Sequence, residues 1–182
     1  TYFWLTRPSG VSDPGNNSSF ASGTAGTYGV SVTDNNGCET YSEGTVTINS
    51  NTSASAGSDA AHCNGSSTTL GASGGTSYSW SPTTGLNNSS IAAPVSSATS
   101  TTTYTVTATD GNGCTDTDAV TITVNSLPSV SVNSPSACSG SNVTVTASAS
   151  GGSGTYSTYF WLTRPSGVSD PGNNSSFASG TA

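Results

Sequence analysis

The stretch TYFWLTRPSGVSDPGNNSSFASGTA occupies residues 1–25 and recurs, letter for letter, at 158–182. Thr1 and Thr158 are therefore one position seen twice, and the sequence has a period of 157 residues. Identity at a fixed spacing is the mark of a tandem array, whose units are small supersecondary assemblies that stack on their neighbours. The expectation is a window slightly longer than one period of a polymer-like protein.

Charge narrows the partners. Charged residues make up 6% of the chain, Lys is absent, and Arg7 and Arg164 are the same repeat position. One period carries eight acids against a single Arg. Nucleic acid is thereby excluded as a partner, since its binding needs a basic face. Docking on anionic lipid calls for basic residues too, and no apolar run approaches the roughly 20 residues that cross a bilayer. Abundant Ser, Thr, Gly and Asn would suit a disordered stalk. Three Trp, seven Tyr and the alternation of Val, Ile and Tyr with Thr argue instead for strands.

Those strands fall into two related groups. TYGVSVTD (27–34), NNG and CETYSEGTVTIN (38–49) form one hairpin, and TTYTVTATD (102–110), GNG and CTDTDAVTITVN (114–125) form another. Asn-Gly supplies the positive backbone angles that tight hairpins require. Asp34 and Asp110 hold the same place in the two hairpins and lie about half a period apart, so one period holds two domains. The complete one spans 51–126. Residues 1–50 are the latter part of a second domain and 127–182 are the opening part of the next copy of it. Within 51–126 strands are expected near 53–57, 67–73, 77–82, 91–97, 102–110 and 115–124. The expected core is Leu70, Tyr78, Trp80, Leu86, Ile91, Val95, Tyr104, Val106, Val120, Ile122 and Val124. So many short strands with no helical pattern indicate an all-β chain of tandem immunoglobulin-like antiparallel sandwiches.

At this point the residues resemble a known family. Trp80-Ser81-Pro82, Gly85-Leu86, Pro94, Thr101-Thr102-Thr103-Tyr104 and Gly113-Cys114 resemble the PKD-like and Ig-like repeats of giant secreted adhesins in gliding bacteria. The resemblance covers nearly all of 51–126. The split domain matches less well, with WLTRPSG (161–167) where the middle domain has WSP. It implies an extracellular or cell-surface location and export by the type IX pathway, and it supplies no ligand.

The cysteines recur at two equivalent places: Cys63 and Cys138 before the second strand, Cys38 and Cys114 just after the Asn-Gly turn. An extracellular site permits disulfides, and four cysteines allow three connectivities. In such a sandwich Cys63 and Cys114 stand at opposite poles, about 33 Å apart along ten strand residues, whereas a disulfide needs Cα atoms within about 7 Å. Staples between successive domains avoid this obstacle; an intradomain bridge and free thiols stay open. No Cys-x-x-Cys pair occurs and His62 is the only histidine, so no zinc site is expected and His62 reads as a turn residue.

Raw material for catalysis is nearly absent. No Gly-x-Ser-x-Gly elbow and no Lys-bearing phosphate loop exist, so no enzyme is expected. Asp110, Asp116 and Asp118 offer hard oxygen ligands for calcium, while turn chemistry and edge-strand charge explain them without an ion; no cofactor is expected. Aligning Trp161 with Trp80 turns Tyr159 inward and Phe160 and Leu162 outward. Phe3 and Leu5 are the same positions in the first copy, and two large apolar side chains on a sheet surface need a cover. Either a loop of the same domain, near 167–177, or a neighbouring copy supplies it. The sequence thus describes a structural repeat unit of an extracellular filament or adhesin, whose partners are further copies of the repeat, end to end and laterally, and surface glycans. The alternative is a spacer or carbohydrate-binding module of a large secreted enzyme.

Overall fold

A computed structural model describes residues 1–139, 141–162 and 172–179. Every regular element among them is a strand, and the fold is all-β. The chain divides into two compact units, one formed by Thr1–Asn51 with Asn112–Cys114 and the other by the remainder.

The first unit contains β1 (Tyr2–Thr6), β2 (Gly26–Thr33) and β3 (Glu39–Val46). They form one antiparallel sheet in the order β1-β2-β3. The β2–β3 turn is specified by Asp34, whose carboxylate accepts the backbone N–H groups of Asn36 and Cys38, each at 2.8 Å. These bonds hold its carboxyl below the usual range, Cys38 contributing most. Gly37 alone carries the positive φ of the turn, +85°. The Asn-Gly expectation is therefore corrected in detail: glycine takes the left-handed residue, and Asn36 stays in the ordinary region.

The second unit begins with β4 (Ala60–Cys63), β5 (Thr68–Thr69), β6 (Ser77–Ser81), β7 (Val95–Ser96), β8 (Thr102–Thr109) and β9 (Thr115–Asn125). One sheet has the order β4-β9-β8-β6 and the other pairs β5 with β7. Between them lies a core of Ala56, Leu70, Trp80, Tyr104, Val106, Val120 and Ile122. Each fully buried aliphatic side chain of this kind contributes about 1.5–3 kcal/mol. Trp80 fills the middle and donates its indole N–H to the carbonyl of Ile91 at 2.9 Å. The Tyr104 hydroxyl donates to the carbonyl of Thr84 at 2.8 Å, so neither large aromatic buries an unsatisfied polar atom. This is an immunoglobulin-like sandwich in its strand order and layering.

Several expectations are revised here. The segments 67–73 and 91–97 contain only β5 and β7 as regular strands, although Leu70 N–H to Pro94 and Ala72 N–H to Ala92 continue the pairing. Ile91 is 40% exposed rather than core, because 87–94 runs as turns and strict alternation lapses there. Tyr78, Leu86, Val95 and Val124 are half-buried at the margin. The first strand is split: Ser55 bridges Ser73, then β4 crosses to the other sheet and runs parallel to β9. His62 is consequently a buried strand residue and not a turn residue, with Nδ1 2.9 Å from the carbonyl of Cys63.

The unit continues with β10 (Pro128–Val132), β11 (Val143–Gly151) and β12 (Ser176–Ser179), a sheet in the order β10-β11-β12. Only Ser126 and Leu127 separate β9 from β10.

Candidate functional site

Two hydrogen bonds recur in the two copies of the repeated stretch, although Tyr2–Thr6 is a strand only in the first copy and Ser176–Ser179 only in the second. In the first, the Tyr2 N–H donates to Asn16 Oδ1 at 2.5 Å and the Trp4 indole N–H to the carbonyl of Asn17 at 2.9 Å. One full period later Tyr159 donates to Asn173 and Trp161 to Asn174, at the same distances. In the first copy a short polar loop thus folds back along β1 and satisfies donors that an edge strand would leave open. Arg7 reinforces it in the first copy, donating to the carbonyl of Trp4 and lying 3.4 Å from Asp13.

From Tyr2 to Trp4 and along the β2–β3 hairpin, the sheet β1-β2-β3 repeats the β6-β8-β9 register at the offset that carries Asp34 onto Asp110; an irregularity between Trp4 and Thr6 shifts it beyond that point. Trp4 pairs with Val30 as Trp80 pairs with Val106, and Tyr2 with Val32 as Tyr78 with Ala108. Thr33 pairs with Glu39 as Thr109 with Thr115. Inward, Tyr28 stands where Tyr104 stands, its hydroxyl donating to the carbonyl of Thr24 at 2.8 Å. Phe20 packs edge-on to Trp4 with centroids 4.7 Å apart and tilted against Tyr28 at 5.7 Å.

The outer face departs from the sandwich. Where the middle domain carries Ser79 and Ser81, the first unit carries Phe3 and Leu5, 51% and 65% exposed. Phe3 pairs with Ser31, which pairs with Tyr41, so a buried serine lies between two large exposed rings. Tyr41 was missed in the sequence; its signal was the hairpin register, which sets it across from that row. Its hydroxyl donates to Glu43, and this bond raises its pKa above the usual value. In the second copy Phe160 and Leu162 are exposed as well. Residues 167–171 of the loop at 167–177 lie outside the described residues, as does the stretch that follows Leu162 in WLTRPSG.

The acids of β9 have partners of another kind. Asp116 and Asp118 accept the backbone N–H groups of Ala54 and Ala56, each at 2.8 Å, and Asp59 accepts that of Thr121 at 2.7 Å. These carboxylates clasp the first strand to β9. They are not merely charges that discourage wrong pairing, because the first strand approaches β9 without a continuous ladder at that level. The Ala56 bond, followed by that of Ala119, lowers the Asp118 pKa. Among the described residues no three His, Cys, Asp or Glu side chains converge as a metal site would require.

No disulfide joins any two of Cys38, Cys63, Cys114 and Cys138. Cys63 is paired in register with Asn125 at one end of β9, and Cys114 immediately precedes Thr115 at the other. Ten strand residues, about 33 Å, lie between these ends. Cys63 instead lines an open pocket of about 560 Å³ with Asn125, Pro128, Gly152 and Tyr156, where the sandwich hands over to β10.

No protein-family model matches the chain, and no curated protein matches it. Solved structures similar to it are multidomain immunoglobulin-like proteins. The N-terminal eight Ig domains of the Down Syndrome Cell Adhesion Molecule match over 70% of this chain and 21% of that one, at 16% identity and a TM-score of 0.44. Extracellular domains 3–5 of Drosophila OTK match over 69% and 48%, at 14% identity and 0.39. Domains A168–A170 of titin match over 86% and 64%, at 14% identity and 0.35. The chain therefore spans about a fifth of the first of these and about half of the second.

Proposed function

We propose that this chain is a structural repeat unit of a long extracellular filament or cell-surface adhesin, without catalytic activity or a cofactor. The observation that carries this reading is the repetition itself. The repeated stretch rebuilds the same hydrogen bonds one period on, and the sheet register recurs from the split domain to the middle one. A filament needs equivalent joints, and equivalent joints follow from equivalent sequence. The resemblance of the middle domain to adhesin repeats of gliding bacteria adds the cell surface and type IX export to the reading. End-to-end copies are its first partners, and surface glycans are a further class suited to an adhesin.

Electron microscopy of chains carrying two, three and four full periods tests it. Stiff rods should lengthen by roughly 70–90 Å per added period, the advance of two stacked sandwiches. Flexible beads with no axial repeat would remove the filament reading.

A further inference from the structure

The register of β10 and β11 sets Val130 opposite Ala149 and Val132 opposite Ala147, all on one face. That face forms an open apolar groove of about 280 Å³, with Tyr159, Trp161 and the largely exposed Phe160 among its lining residues. Val130 is 68% exposed there. In the middle sandwich the corresponding sheet is covered: β11 pairs β12 through Val145–Phe177 and Thr146–Ser176 just as β5 pairs β7 through Thr68–Ser96 and Thr69–Val95. Its cover is the sheet built by β6, β8 and β9.

The chain holds a second sheet of that covering type in β1-β2-β3. Its inward Val30 and Val32 are half-buried, whereas Val106 and Ala108 at the same register are fully buried. The repeated stretch identifies what belongs on the groove. In its first copy it runs from Ala25 directly into Gly26 and the β2–β3 hairpin, and Ala182 is the same position as Ala25. The segment 127–182 followed by 26–50 is therefore one whole domain, only slightly longer than the middle domain at 51–126.

We propose that the groove on β10–β11 is the seat of the β2–β3 hairpin of a second copy of this chain. Residues 26–50 of that copy close over the β10–β11 face and complete one sandwich across each repeat boundary. The inference rests on the tandem reading above and names the contact that would join successive periods.

The test lengthens the 182-residue chain after Ala182 by a second copy of residues 26–50. Amide hydrogen exchange at Val145, Ala147 and Ala149 should slow by at least about 100-fold, since these groups then belong to a closed, cooperative unit. Trp161 emission should shift to the blue as its ring leaves water. A control extension with Ser in place of the added copies of Tyr28, Val30 and Val32 should show neither change. Exchange rates and emission equal to those of the parent chain would overturn the proposal. Closure in this single chain is intramolecular, so it separates from the filament reading. A closed sandwich in a protein that forms no rods leaves this inference standing and removes that function; rods from chains whose groove stays open do the reverse.

Discussion

Trp161 donates its indole N–H to the backbone carbonyl of Asn174 at 2.9 Å, the bond that Trp4 makes to Asn17. Trp80 makes its counterpart to Ile91 in the middle sandwich. Each of the three tryptophans therefore holds a segment that follows it in the chain. The consequence is largest where the ring is fully buried. Trp80→Phe should destabilise the middle sandwich by about 2–4 kcal/mol, through a cavity and an orphaned carbonyl. Trp4→Phe should cost less in this chain, since that ring is only half-buried. Urea denaturation followed by circular dichroism compares the two.

Acid should loosen the chain through Asp118 and Asp34. Both carboxyls have folded pKa values below the ordinary 3.8, because backbone N–H groups bind the ionised form. Their stabilisation is complete above the unfolded value and is lost as pH falls through the lower folded one. Asp118→Asn should therefore lower the unfolding midpoint at pH 7 and change it little near pH 2. Equal loss at both pH values would mean that the carboxylate acts only by its shape.

The outer row of Phe3, Leu5, Phe160 and Leu162 is proposed as a lateral assembly patch, joined by Tyr41 across the sheet. Replacing all four with Ser should leave each domain's stability within about 0.5 kcal/mol of the parent. Rods of multi-period chains should then remain single where the parent forms bundles. Unchanged bundling, scored by light scattering and negative stain, would assign these residues to internal packing.

Oxidation should staple neighbouring domains and leave Cys63 and Cys114 apart. In the chain lengthened by residues 26–50, Cys63 is expected to bridge to the added copy of Cys38. Mass mapping of unreduced peptides decides this, and a Cys63–Cys114 peptide pair would refute it.

The sequence by itself determined what short-range chemistry controls. Alternation in TYTVTATD and AVTITV, with Asp34 and Gly37 at the turn, specified the hairpins and their register, and Trp80, Tyr104, Val106 and Ile122 were legible as core. The outward turn of Phe3 and Leu5 followed from the same period of two. Tertiary structure alone decided the pairings that span the domain. Ala54 and Ala56 reach Asp116 and Asp118 across 62 residues, β4 leaves one sheet for the other, and His62 is buried by that crossing. A period of two says which face a residue takes, but which strand lies beside it depends on how two sheets close over one core, and no local pattern encodes that closure.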